Sequence, residues 1–481
     1  MIVSGDARRL PLADESVQCI VTSPPYWGLR KYAGEQELIW SNPQFLSALD
    51  CAHEWADESI ENRDIRTGLG LAEWSKANAR GGGLKPAKVG SFTVHRGTCA
   101  RCGAWRGAYG LEPMVDMYVA HTVLILRELR RVLRKDAVLF WNLGDSYHGS
   151  WQNYGGGNRG AGKQRLIVKG STVQNPVWEG LEDWRPPGSF TQPGLKPKDL
   201  VLMPARVALA AQADGWWVRS VIVWAKPNPM PESVTDRPTD AYEHILMLTK
   251  SARYFWDADA VREPAGDNTH SRGNGDGGPK ARDRAEEGTF EGWCDGTREV
   301  LASRNLRNVW TFPTQPFSGA HFATFPEELP RRCILAATSA KGACAQCGAP
   351  WERVVKKKPA TMNIRVRDAK RGVATAEEGY AATEQEIENY GAEMSGETRM
   401  IGWSPTCRCP GQHGLTVPCV VLDPFAGSGT TGRVAIELNR RAVLVDLAYA
   451  RATEVDREKE RDYAALARER TTEVQRELPI L

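Results

Sequence analysis

No run of about 18 apolar residues, the length a bilayer-spanning helix needs, occurs in the 481-residue chain. Its first residues also lack a basic stretch followed by an apolar core, so a cytoplasmic protein is expected. Charge of one sign is scarce, since 62 Lys and Arg against 59 Asp and Glu leave a net +3. That balance tolerates an anionic partner without demanding one. No internal repeat is visible, which argues against a solenoid or propeller. Charged residues at 25% and hydrophobic residues at 41% exclude disorder throughout. Eleven cysteines in a reducing compartment read as thiols or metal ligands, not disulfides.

What is present is an alternation of strand and helix patterns. Ile2 to Ser4 and Val17 to Thr22 read as short buried parallel strands. From Met114 to Arg134 the positions Val119, Val123, Leu126, Leu129 and Leu133 recur at helical spacing, and AVLFWNL follows as a strand. LMPARVALAAQADG reads as a helix, WWVRSVIVWAK and AYEHILMLTKS as strands, FPEELPRRCILAAT as a helix, and a charged helix ends the sequence. The pattern predicts an α/β fold, a doubly wound and mostly parallel sheet covered on both faces. The core is expected in four pieces, 1–33, 111–262, 309–340 and 417–481, with polar insertions over 34–110, 263–308 and 341–416. Within the second piece, 149–198 is a Gly- and Pro-rich loop too polar to pack.

DPFAGSGTT, residues 423–431, follows an apolar strand and opens a helix, the place where a doubly wound fold binds a nucleotide-like ligand. Gly427 and Gly429 let the backbone approach that ligand where a Cβ would collide. Asp446 ends the next strand, the usual station of a carboxylate that accepts ribose hydroxyls. A glycine pair alone is weak, because strand-to-helix turns also use glycine for steric reasons. Taken as a two-glycine turn, without the dinucleotide fingerprint or the Gly-Lys-Ser/Thr of a phosphate loop, it suits a ribose ligand with no pyrophosphate.

IVTSPPYWGL, residues 20–29, ends an apolar run in two prolines and two aromatic rings. By itself a Pro-Pro pair merely stops a strand. Together, TSPPYW at 22–27, DPFAGSGTT, Asp446 and HFATFPEELPRRCI at 321–334 resemble the DNA amino-methyltransferases that use S-adenosylmethionine. The catalytic motif precedes the cofactor motif, the order of the beta group. The resemblance covers the ends and middle of the chain but not the polar insertions. It implies a Rossmann-like methyltransferase sheet, S-adenosylmethionine as cofactor, double-stranded DNA as partner and a restriction endonuclease as a candidate partner.

The chemistry so implied suits the residue types. An exocyclic amino group is a poor nucleophile because its lone pair is delocalised into the ring. Ser23 Oγ and the Pro24 carbonyl can each accept one amino hydrogen, localising that pair on nitrogen. Pro24 and Pro25 fix φ and remove competing N–H donors. Tyr26 offers a flat face for a flipped base, worth about 1–3 kcal/mol against an unstacking cost of a few. Methyl transfer is expected to be direct, with neither Cys19 nor another cysteine needed as nucleophile. Serine at the head of the tetrapeptide is associated with cytosine N4, so cytosine is favoured. Adenine N6, RNA, and a zinc-containing DNA-binding protein without activity are the alternatives.

Residue by residue, the resemblance puts Phe425 near the adenosyl or methionine part, Asp423 near the methionine amine, Asp446 on the ribose and Asp6 near the adenine amine. Pro424, Gly427, Gly429, Thr430 and Thr431 complete the turn. Phe322, Thr324 and Pro326 belong to a segment closing over methionine. Lys226 and Asn228 are candidates for DNA contact. Residues 263–308 form a candidate recognition segment, and the basic loops GGGNRGAGKQR and HSRGNGDGGPKARDR suit phosphates.

Two cysteine sets remain. Cys51, His53, Cys99 and Cys102 bracket the first insertion, and Cys344, Cys347, Cys407 and Cys409 lie across the last. Each can complete a tetrahedral zinc shell, with His413 as a substitute in the second. Zinc there would be structural, stapling insertions too polar to build a core. Reduced loop cysteines are the plain alternative.

Overall fold

The computed structural model describes residues 1–28, 36–41, 51–55, 97–99, 101–148, 194–264, 303–315, 325–357, 398–409, 415–449 and 463–477. Among them, eight strands form a central sheet: β1 (Ile2–Ser4), β2 (Val17–Thr22), β3 (Leu133–Leu143), β4 (Trp217–Ala225), β5 (Tyr242–Thr249), β6 (Val309–Thr311), β7 (Val420–Asp423) and β8 (Arg441–Asp446). Their spatial order is β1-β8-β7-β2-β3-β5-β4-β6. The run from β1 to β3 is parallel throughout, β5 runs against both its neighbours, and β6 lies parallel to β4. The C-terminal ends of β2, β7, β8 and β3 therefore share one edge of the sheet.

Alternation along each strand sends successive side chains to opposite faces. Ile20, Leu139, Leu246 and Leu422 point to one core, which α1 (Val115–Val132) and α2 (Met203–Ala213) cover. Cys19, Val138, Ile245 and Val421 point to the other, covered by α3 (Glu328–Ala337) and α4 (Thr430–Glu437). A last helix, α5 (Tyr463–Glu477), packs Ala467 against Ala426 and Leu444. Both faces of the sheet are covered, as the strand-helix alternation requires. Among the described residues no helix is long and apolar enough to cross a membrane.

Four expectations need correction. β1 is a half-buried edge strand, not a buried one. β3 begins at Leu133, directly after α1, so its charged first turn of sequence, LRKD, belongs to the strand. α1 is rotated from its aliphatic stripe: Leu126 and Leu129 are buried, but Tyr118, His121, Thr122 and Ile125 join them while Val119 and Val123 are only half-buried. The reason is polar, because Tyr118 and Thr122 bond to groups beneath the helix. Finally, the base of the first insertion is part of the core. Leu38–Trp40 pairs antiparallel with Trp105–Gly107, and Trp40 and Trp105 are buried among the residues of α1. The parts of the expected loops at 149–193 and 265–300 lie outside the described residues.

Candidate active site

β2 ends at Thr22, and the two prolines that cannot extend the ladder turn the chain over the sheet edge. Ser23 Oγ donates to the Tyr26 hydroxyl at 3.0 Å, and that hydroxyl donates to Glu243 Oε2 at 2.7 Å. Asn142 Nδ2 donates to both the Tyr26 hydroxyl, at 2.8 Å, and Glu243 Oε2, at 2.7 Å. The carboxylate fixes the amide orientation, since only the NH2 side can face it. Lys226 Nζ pairs with the other carboxylate oxygen and lies over the Trp224 ring. The proton of Ser23 is thus committed to Tyr26, and its oxygen accepts a long contact from Asn142 Nδ2 at 3.4 Å, which leaves one lone pair open. The Pro25 carbonyl accepts from Tyr118, whereas among the described residues nothing donates to the Pro24 carbonyl.

Tyr26 is half-buried, and a Cβ on Gly144 would lie 2.7 Å from its Cε2. Glycine at 144 therefore lets the tyrosine ring settle on the end of β3. Beneath the segment, Gly28 N bonds to the Gly110 carbonyl at 2.8 Å and Trp27 Nε1 to the Glu112 carbonyl at 2.9 Å. Glu112 is fully buried, accepting from the Gly110 amide and partnering His121 Nδ1 at 3.0 Å. Burial raises its carboxyl above the usual range, and the His121 contact opposes this.

The glycine turn stands next to this segment because β7 is the neighbour of β2. Asp423, 1% exposed, joins the two. Its Oδ1 accepts from Thr22 Oγ1 at 2.6 Å and from the Phe425 amide at 3.1 Å, and its Oδ2 from Thr431 Oγ1 at 2.7 Å. Burial raises its carboxyl to about 6, with Thr22 and Thr431 opposing. The carboxylate thus faces three internal donors, two on Oδ1 and one on Oδ2. Thr430 and Thr431 likewise turn inward, the first to Arg470 of α5 at 3.0 Å, the second to Asp423.

Gly427 and Gly429 adopt φ of 49° and 80°, the left-handed region that favours glycine. The two-glycine reading undercounts, since Gly432 completes G-x-G-x-x-G. A Cβ there would lie 2.6 Å from Leu444 Cδ1, so the third glycine serves close packing of α4 on β8. Asp446, half-buried at the end of β8, accepts from the Gly427 and Ala448 amides, each at 2.9 Å and one on each oxygen. Burial raises its carboxyl too. Phe425 is half-buried, 5.8 Å from the Tyr109 ring and edge-on to Trp141 at 6.0 Å, while Pro424 is buried. Asp6, after β1, is gripped by the Arg8 guanidinium through both oxygens, and Arg8 also reaches the Ile39 carbonyl and stacks on Trp40.

Several named residues fall elsewhere. Phe322 and Thr324 lie outside the described residues, as does His413; Pro326 is buried at the start of α3. Lys226 faces Glu243, and the exposed Asn228 accepts from the Thr314 amide at 2.9 Å. The eight metal candidates do assemble: within each set of four the ligand atoms lie within 4.8 Å of one another. Sequence reading missed Thr22, Asn142, Glu243 and Arg470. The available signal was polarity next to an apolar run, Asn142 near the end of AVLFWNL and Glu243 with His244 at the head of YEHILML.

Among solved structures, the PvuII DNA methyltransferase, described as cytosine-N4-specific, matches with a TM-score of 0.40 at 11% identity, over 98% of this chain and 92% of that one. Type II methyltransferase M.XycI of Xanthomonas campestris pv. cyanopsidis is 34% identical over 341 residues, 70% of this chain and 72% of its own. M.Cfr9I of Citrobacter freundii is 33% identical over the same length and shares of the two chains. A family model for N6 and N4 methyltransferases, described as DNA methylase, matches residues 17–345 and 419–455, and so takes in the Ser-Pro-Pro-Tyr segment and the glycine turn alike. The chain belongs to this family of DNA amino-methyltransferases.

Proposed function

We propose that this methyltransferase modifies cytosine N4 in double-stranded DNA, with residues 23–26 gripping the amino group and the turn at 423–432 holding S-adenosylmethionine. The observation that carries the reading is the bond from Thr22 to Asp423, which sets Ser23 and the glycine turn side by side across 401 residues of sequence.

S-adenosylmethionine, when bound, supplies an electrophilic methyl group. The residues present suit it: each Asp446 oxygen keeps a lone pair for a ribose hydroxyl after accepting one amide. Phe425 offers a half-exposed ring, and Asp6 stands with its carboxylate fixed by Arg8 for a donor such as the adenine amine. Asp423, holding Thr22 and the Phe425 amide on Oδ1 and Thr431 on Oδ2, positions the turn.

A base inside a duplex is out of reach, so it has to be turned out against a few kcal/mol of stacking. Ser23 Oγ and the Pro24 carbonyl then accept its two amino hydrogens. As the nitrogen takes up the methyl group its positive charge grows, and two fixed acceptors stabilise that charge without reorganising. The surplus proton has a path onto Ser23 Oγ, as the Ser23 proton passes to Tyr26 and the Tyr26 proton to Glu243. Serine, in place of aspartate or asparagine, at the head of the tetrapeptide supports cytosine. The type II names of the relatives support a place beside an endonuclease of the same target.

The test is expression in a host without DNA methylation, followed by mass spectrometry of DNA and RNA nucleosides. N4-methylcytosine in DNA is the expected product. N6-methyladenine would move the assignment to the other base, methylated RNA alone would move the substrate, and no methylated nucleoside would remove the catalytic reading.

A further inference from the structure

The two cysteine clusters share one backbone design. Cys99 N bonds to the Ala104 carbonyl at 2.7 Å and Gly103 N to the Cys99 carbonyl at 2.9 Å; Cys344 N bonds to the Ala349 carbonyl at 2.7 Å and Gly348 N to the Cys344 carbonyl at 2.8 Å. Gly103 and Gly348 carry φ of 66° and 69°. The same tight turn therefore presents Cys99 with Cys102, and Cys344 with Cys347. In the first cluster Cys51 Sγ is 3.9 Å from Cys99 Sγ, and Cys102 Sγ is 3.4 Å from His53 Nδ1. A tetrahedron with Zn–S of about 2.3 Å and Zn–N of about 2.0 Å has S–S edges of about 3.8 Å and S–N edges of about 3.5 Å. A disulfide would need sulfurs about 2.05 Å apart. Among the described residues the apolar support of the first cluster is Cys51, Trp55, Cys99, Cys102 and Ala104, too small to hold two chain segments together without a further link.

The clusters sit against different ends of the sheet strands. The second touches the N-terminal ends: Gln18 near the start of β2 donates to the Gly348 carbonyl and accepts from Val420 N at the start of β7, and Arg134 in β3 donates to the Cys347 carbonyl. The first joins the hairpin of Trp40 and Trp105 through Arg106 N to the Gly97 carbonyl at 2.7 Å. That hairpin leads straight into Gly110, on which the catalytic segment rests: a Cβ at 110 would lie 2.9 Å from Pro25 Cβ.

We propose that both clusters are structural zinc sites, the first ligated by three cysteines and a histidine and the second by four cysteines, and that the first seats residues 25–28 of the catalytic segment while the second only closes the far end of the sheet. Thiol protons leave to solvent on binding.

Elemental analysis of the full chain, purified without added metal, should give two zinc ions per molecule, and Cys102→Ser and Cys347→Ser should each give one. Cys102→Ser should lose methyl transfer by about a hundredfold, the scale of an ångström's misplacement, while S-adenosylmethionine still binds. Cys347→Ser should melt at a lower temperature with turnover per folded molecule unchanged. Should Cys102→Ser not fold, chelator titration of Cys347→Ser followed by hydrogen exchange reads the same coupling, because the Gly28 amide should lose protection as its one zinc leaves. Absence of zinc, or iron in its place, would overturn the sites. Zinc loss from Cys102→Ser with full turnover, or an unprotected Gly28 amide before chelation, would overturn the seating role. The metal count is independent of methyl transfer, so this inference and the proposed function can fail separately.

Discussion

The Tyr26 hydroxyl is the hub of the site, with Ser23, Asn142 and Glu243 all within 3.0 Å of it. A hydroxyl can donate once, and here the donation goes to a carboxylate, so the Ser23 proton is drawn toward Tyr26 and its oxygen becomes an acceptor. Ser23→Ala removes that acceptor while leaving Tyr26 bound to Asn142 and Glu243. A fixed hydrogen-bonding group aimed at developing charge is worth about a hundredfold or more in kcat, and that loss, with cofactor binding intact, is expected in single-turnover assays. An unaltered rate would take Ser23 out of the reaction. Asp423 offers a second measurement. Its carboxyl, ordinarily at 3.8, is raised to about 6 by burial. Between those values the unfolded chain has released a proton that the folded chain still holds, so this group lowers stability as pH rises from about 4 to about 6 and adds no further slope above. Denaturant unfolding of wild type and Asp423→Asn from about pH 4 to about pH 8 should show the difference moving against wild type up to about pH 6 and then staying level.

At the scale of elements, the strand, glycine turn and helix from Val420 to Glu437 carry their geometry in their glycines. An alanine at 432 would gain about 1 kcal/mol of helix propensity over glycine. Its Cβ would meet Leu444 Cδ1 at 2.6 Å, however, and overpacking of this kind costs about 1–3 kcal/mol. Gly432→Ala is therefore expected to destabilise by about 1 kcal/mol, read from the denaturation midpoint, and a stabilised variant would show that α4 can lift from β8. β2, β4, β5, β7 and β8 were legible in the sequence because each is an apolar run stopped by polar or proline punctuation. The glycine turn and Ser-Pro-Pro-Tyr were legible because their residue types are unusual together. The rotation of α1 was not, since its buried face mixes Tyr118, His121 and Thr122 with aliphatics, and their partners Pro25, Glu112 and Tyr109 are set by tertiary packing. Asn142 and Glu243 were hidden for a related reason. Each is a polar residue at the end of an apolar run, and only the antiparallel pairing of β3 with β5, Asn142 opposite Ile245 and Leu143 opposite His244, brings them together.

Over the whole molecule, a parallel sheet lets segments from the two ends of the chain become neighbours: β2 and β7 pair although a Thr22–Asp423 bond spans 401 residues. The same arrangement leaves the turn exposed on its outer side, where α5 covers it. Arg470 of α5 donates to Ser428 Oγ at 2.9 Å and Thr430 Oγ1 at 3.0 Å, and its other nitrogen reaches Glu327, before α3, at 3.3 Å. One guanidinium thus links the last helix, the glycine turn and the start of α3. Truncating it leaves the buried Ser428 and Thr430 hydroxyls without that donor, and removal of a charged hydrogen-bond partner costs about 1.5–3 kcal/mol. If part of that energy holds the turn in its binding shape, Arg470→Ala will weaken S-adenosylmethionine binding by about tenfold, the equivalent of about 1.4 kcal/mol. Calorimetric titration with the cofactor, run beside thermal melting, separates the outcomes. Weaker binding with a lower melting temperature is expected; a lower melting temperature with unchanged cofactor affinity would show that the turn keeps its shape without α5.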